Sequence, residues 1–174
     1  MTTAPIITTD RLVLRHQVMA DFEPLYVLLE SDRAQFLGGS FTRKLSWQWI
    51  AAEAGSWTLK GFGRWGVELR ETGDFVGQIG INQPHHLPEL EIGWFFLAGS
   101  EGKGYARQGA TAIFDWVRSR LKPETLASYI DTQNLRSIAL AKRLGALSDP
   151  DALRLDGDTK QDTIVYRHTM GVVQ

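Results

Sequence analysis

Glu101-Gly102-Lys103-Gly104-Tyr105-Ala106-Arg107 is the stretch on which the reading of this chain turns. Upstream, residues 89–97 are nearly continuous in apolar side chains after Glu91, the pattern of a central strand buried on both faces. Downstream, Ala106, Ala110, Ile113, Phe114, Val117 and Leu121 recur with a helical period. They predict a helix over residues 105–121, ended by Pro123. The glycine segment therefore joins a strand to a helix. Glycine lets backbone approach a ligand closely, and the first turn of a helix presents unpaired N–H groups. Together they make a cradle for a phosphate or pyrophosphate. A plain turn that uses glycine only for its dihedrals fits the segment equally well.

Working outward, residues 125–131 read as a strand, and Asn134 caps a helix that runs to Leu144 and stops at Gly145. This β-loop-α-β unit predicts two parallel strands. Towards the N-terminus, residues 63–70 and 75–82 read as a hairpin around Glu71-Thr72-Gly73-Asp74. Residues 11–16 alternate like a strand. Asp21 is expected to cap a helix over 21–31, Leu37 to Ser40 form a glycine-bearing loop, and Ser46 is expected to open a helix carrying Trp47, Ile50, Ala54 and Trp57. Residues 146–155 contain a candidate strand, and 163–170 another. The expected architecture is a mixed-sheet α/β (α+β) domain over residues 1–174.

Composition narrows the function. The 174 residues are 43% hydrophobic and 22% charged, as in an ordinary globular protein. The net charge of -1 gives no footprint for nucleic acid or an anionic membrane. The first ten residues do not read as a signal peptide, and no apolar run is long enough to span a bilayer. There is no cysteine, which excludes disulfides, thiolate metal sites and an acyl-thioester enzyme intermediate, and fits a cytoplasmic setting. His85-His86 sits beside two prolines, and a solvated loop is favoured there over a two-histidine metal site.

Three phosphate-binding designs compete for the glycine segment. A Walker loop is absent. A dinucleotide site matches Gly102 and Gly104, with Asp131 as the ribose-binding acid, but has Arg107 where a third glycine is needed. The third design is the pyrophosphate loop of the GNAT superfamily of N-acetyltransferases, Gln/Arg-x-x-Gly-x-Gly/Ala, which Gly102-Lys103-Gly104-Tyr105-Ala106 resembles. Glu91-Ile92-Gly93-Trp94, Asn134-Leu135-Arg136-Ser137 and Ala141-Lys142-Arg143-Leu144-Gly145-Ala146 resemble the same family, in its order. The resemblance runs from about Thr8 to Met170 and is similar to the branch of the ribosomal-protein N-terminal acetyltransferases. One departure is plain: the Gln/Arg position falls on Gly99.

The resemblance implies a GNAT fold, with a mostly antiparallel sheet of six to seven strands flanked by about four helices. It implies acetyl-CoA as acetyl donor and a primary amine as acceptor, either a protein N-terminus or a small molecule. It implies that the pantetheine arm pairs with backbone at Phe95, Phe96 and Leu97, one of whose N–H groups serves the oxyanion. Gly102, Lys103, Gly104, Tyr105, Ala106 and Arg107 would hold the pyrophosphate, with Asn134, Ser137 and Lys142 as further cofactor contacts. Glu91 is the implied base through water and Ser137 the implied proton donor to the thiolate; Tyr129 and Tyr166, candidates for the tyrosine that many relatives use, match no clear position. A homodimer is a family-level expectation. Two alternatives stay open: an NAD-type oxidoreductase, and a non-catalytic acyl-CoA-binding domain. On the acceptor side, Phe41, Trp47, Trp49 and Trp57 are pocket or core residues. Asp149, Asp151, Asp156, Asp158 and Asp162 form an acidic segment that either attracts a cationic amine or is simply solvated.

Overall fold

The computed structural model describes residues 3–85, 87–154 and 157–170. Eight strands form one sheet: β1 (Ile7–Thr8), β2 (Leu12–Arg15), β3 (Arg64–Leu69), β4 (Phe75–Asn82), β5 (Glu91–Phe96), β6 (Thr125–Asp131), β7 (Leu147–Ser148) and β8 (Thr163–Thr169). Their order is β1-β2-β3-β4-β5-β6-β8-β7. Every pairing is antiparallel except β5 with β6. The count exceeds the expected six to seven because β1 and β7 have two residues each, too few to show alternation in sequence.

Among the described residues, four α-helices cover the sheet: α1 (Phe22–Glu30), α2 (Arg43–Lys60), α3 (Tyr105–Arg120) and α4 (Leu135–Arg143). Two 3-10 segments, Met19–Asp21 and Asp32–Leu37, flank α1. α3 lies on one face because Ala110, Ile113, Phe114 and Val117 form a buried stripe. They pack with Leu12, Leu14, Ile79, Ile81 and Ile92 from the strands. Gly109 makes the approach close, since a Cβ there would stand 3.4 Å from Ile79. α1 and α2 cover the opposite face, where Phe22, Leu25, Leu29 and Ile50 pack with Phe75 and Phe95. Trp57 of α2, Trp65 of β3 and Trp116 of α3 meet edge to face at 4.5–5.7 Å, so Trp57 belongs to the core rather than to an acceptor wall.

Three local expectations are corrected. Asp21 does not cap α1 with its side chain: its carboxylate accepts from both terminal nitrogens of Arg15, at 2.7 and 2.8 Å, and from the Val18 N–H. Ser46 does not open α2. Thr42 does, its hydroxyl accepting from the Leu45 N–H, and Ser46 is buried one turn inside. β5 begins at Glu91 rather than Glu89, whose carboxylate is drawn to Arg167 and the Tyr129 hydroxyl.

Candidate active site

β5 and β6 run side by side only at their beginnings. Their pairing is confined to Glu91 with Ala127. The Ala127 N–H donates to Leu90 O, and the Ser128 hydroxyl donates to Ile92 O at 2.8 Å. Beyond Ile92 the strands part. This fork explains why Gly93, Trp94 and Phe95 are half-buried, where a central strand was expected to be buried on both faces.

Alternation along β5 assigns its backbone groups. The Leu97 N–H donates to Val76 O on the β4 side, so residues two apart, Phe95 and Gly93, also turn their backbone to β4. Leu97 is therefore corrected as an oxyanion donor: its N–H is already used. The N–H groups of Trp94 and Phe96 face the fork. Phe96 O lies there too, and accepts from Arg33 at 2.8 Å.

The glycine loop stands at the open end of the fork. Gly99, Gly102 and Gly104 have φ of +80°, +73° and +80°, a region that strains other residues. The departure at Gly99 thus has a backbone reason. The first intrahelical bond of α3 runs from the Gln108 N–H to Gly104 O, leaving the N–H groups of Tyr105, Ala106 and Arg107 without a helical partner. Lys103 and Arg107 are exposed beside them. Arg11, not singled out in sequence, clamps the loop. Its guanidinium donates to Lys103 O at 2.9 Å and to Gln108 Oε1 at 3.2 Å, and lies 5.0 Å from the centre of the Tyr105 ring. Glu101 pairs with Arg33 and with Arg136 of α4, tying the loop to both sides of the cleft.

On the α1/α2 face of the fork sits Glu91. Arg64 Nη2 lies 3.9 Å from its carboxylate, and Arg64 Nε lies 3.2 Å from Glu53. Burial pushes the Glu91 carboxyl above its ordinary value; Arg64 opposes this, Glu53 adds to it, and the Tyr129 backbone N–H opposes it weakly. The Arg64 guanidinium lies 6.0 Å from the Trp49 ring and 5.9 Å from Phe95. Trp49 also meets Phe41 at 6.1 Å, so these aromatics form one half-buried wall next to Glu91. Trp47 packs edge-on against Phe22, further out.

On the α3/α4 face sits Ser137. Its hydroxyl accepts from the Trp94 indole N–H at 3.3 Å, leaving its own proton free to donate. Asn134 caps α4, its side-chain oxygen accepting from the Ser137 N–H at 3.1 Å. Lys142 is exposed in the last turn of α4, about two turns from Asn134. Tyr129 is on the Glu91 face with its hydroxyl bound to Glu89, and burial raises its pKa. Tyr166 is buried against Ile130 and Ala141.

The acidic segment is satisfied locally. Asp149 pairs with Arg167, Asp151 with Lys160, Asp158 accepts from Thr163, and Asp162 from Thr159. Asp156 lies outside the described residues, as does His86 of the histidine pair. Asp131 accepts from the Gln133 N–H at 2.7 Å, closing a turn. With a mostly antiparallel sheet before the glycine loop, the dinucleotide reading loses its support.

Comparison with known proteins gives the family. The profile of the acetyltransferase (GNAT) domain matches residues 11–147. An acetyltransferase from Agrobacterium tumefaciens superposes with a TM-score of 0.88 at 38% identity, over 97% of this chain and 96% of that one. The uncharacterised protein YkkB of Bacillus subtilis is 30% identical over 148 residues, 80% of this chain and 83% of its own. At 17% identity the fold alone is shared, with a TM-score of 0.75, with a Salmonella typhimurium enzyme that modifies the N-terminal serine of a 50S ribosomal subunit protein; that match covers 95% of this chain and 99% of the other. The chain belongs to the GNAT family. It is an acetyl-CoA-dependent N-acetyltransferase, with acetyl-CoA as its acetyl-donating co-substrate.

Proposed function

We propose that the chain transfers acetyl directly to a primary amine inside the β5/β6 fork, with Glu91 as base and Ser137 as proton donor. The observation that carries this is the fork itself. Two unpaired backbone N–H groups, of Trp94 and Phe96, lie between an acid of raised proton affinity on one face and a hydroxyl with a free proton on the other. The pantetheine arm lies along the unpaired edge of β5 like an added strand. The N–H groups of Tyr105, Ala106 and Arg107 take the pyrophosphate, with charge from Lys103, Arg107 and, further out, Lys142.

The acceptor enters from the Glu91 face. Its nitrogen attacks the thioester carbonyl, and the oxyanion is held by the Trp94 or Phe96 N–H. A proton leaves the nitrogen through water to Glu91, the C–S bond breaks, and Ser137 passes its hydroxyl proton to the thiolate while its Oγ takes one back from water. The wall beside Glu91 is aromatic and the acidic segment is internally paired. A single amine beside an apolar group, such as a peptide N-terminus, fits better than a polycation.

The test is thiol release from acetyl-CoA with two acceptor panels, short peptides and linear polyamines. Turnover confined to the peptides or to small aromatic amines is expected. Turnover confined to polyamines overturns the acceptor reading.

A further inference from the structure

α2 buries a charge where its spacing calls for an apolar residue. Ser46, Ile50, Glu53 and Trp57, at steps of four, three and four, are its buried residues. Glu53 is 5% exposed and Arg64 is 7% exposed. They lie 3.2 Å apart, yet the Arg64 Nε–H is not aimed at the carboxylate, and among the described residues neither Glu53 Oε2 nor Arg64 Nε completes a hydrogen bond. The other end of the same guanidinium serves Glu91 at 3.9 Å. Two carboxylates thus share one cation, Glu53 buried beside it and Glu91 half-buried at the edge of the fork. Fully ionised, the cluster holds one uncompensated negative charge, which burial penalises. One proton on either acid removes it, so the two acids titrate as a pair.

The surroundings are built for this sharing. A Cβ at Gly93 would stand 2.8 Å from both terminal nitrogens of Arg64, so glycine leaves the room that the guanidinium fills. Glu91 is faced by Arg64 from β3, by Glu53 from α2 and by Tyr129 from β6. The Tyr129 hydroxyl is tied to Glu89, which is paired with Arg167 of β8. Among the described residues, Arg64 is the one cation within ion-pair distance of Glu91.

We propose that Glu53, Arg64 and Glu91 hold one proton as a unit, and that Glu53 is a positioning residue that sets the proton affinity of Glu91 through the guanidinium they share. Its part in catalysis rests on Glu91 being the base; the coupling itself does not. Arg64 divides its charge between two acids. Neutralising Glu53 leaves that charge to Glu91 alone and makes Glu91 give up its proton at lower pH.

The experiment is a carbon-13 NMR titration of the full chain labelled at the glutamate carboxyls, read beside the pH profile of kcat/KM. In the parent protein, Glu53 and Glu91 should titrate as a coupled pair above the ordinary carboxylate range. In Glu53→Gln the Glu91 step should become single and move down by about one pH unit. Gly93→Ala, which crowds Arg64 and alters neither acid, should move it up. The acid limb of kcat/KM should follow in both. A Glu91 step that stays in place in either variant overturns the proposal; a purely structural Glu53 would alter stability and leave the step unmoved. A step that moves while the kcat/KM limb does not supports the unit and removes Glu91 from the role of base.

Discussion

At Glu91, the proposed base, two demands compete. A base must be ionised to accept a proton, and it must hold that proton strongly enough to be useful near neutral pH. Burial supplies the affinity and Arg64 keeps it from becoming excessive. Because the proton affinity is raised, kcat/KM should climb with pH through a step above the ordinary glutamate range and then level. Glu91→Gln should lower kcat by about a hundredfold, abolish that step and leave the KM for acetyl-CoA unchanged. Steady-state rates across pH check this, and parent-like turnover would release Glu91 from the role. On the other face, Ser137→Ala should slow loss of the thiolate by about a hundredfold, the low end of the range of one general acid. A leaving group of lower pKa needs less help, so a more acidic thioester should restore most of the rate, as stopped-flow thiol release would report.

At the scale of elements, the loop is held by a residue far away in sequence. Arg11→Ala removes the contacts to Lys103 O and Gln108, and should weaken acetyl-CoA binding several-fold with little change in kcat. The loop and its helix were legible because their signals are local: glycines at forced dihedrals, then a stripe of apolar residues at one period. β6 and α4 were legible for similar reasons, with an apolar run and an asparagine cap. The fork was not legible. How far β5 and β6 stay paired depends on register between segments some thirty residues apart, which no local pattern records. Arg64 likewise acts across three elements. A hint was present at Glu53, a charge within an apolar helical stripe, but its partner could not be read from spacing alone. Gly99, a departure from the family pattern in sequence, is explained only by its φ of +80°.

At the scale of the whole molecule, stability and the fork share a residue. His168 is buried against Phe114, and its Nε2 lies 3.1 Å from the Ser128 hydroxyl. That hydroxyl donates to Ile92 O, so Nε2 carries the proton and donates to it, while Nδ1 is buried without a partner among the described residues. Burial pushes the His168 pKa down to about 4, from an ordinary 6.5. The unfolded chain therefore binds a proton that the folded chain refuses. The contribution of His168 to stability should be lost as pH drops from about 6.5 towards about 4, a change of roughly 3 kcal/mol. Urea denaturation over that range checks the slope, and His168→Gln should flatten it. An equal slope in the variant would place the acid sensitivity elsewhere.

The fork, the glycine loop and the two faces matter together only if acetyl-CoA occupies the gap between β5 and β6. Calorimetric titration of the parent chain and Gly104→Ala with acetyl-CoA tests this most directly. Gly104 has φ of +80° and opens α3, so a methyl group there disturbs the turn that presents the cradle. One site per chain is predicted in the parent, weakened about tenfold or more in a variant whose circular dichroism is unchanged. Equal affinity in the two proteins would contradict the account, because the cofactor would then be held somewhere other than the helix end that the glycine loop builds.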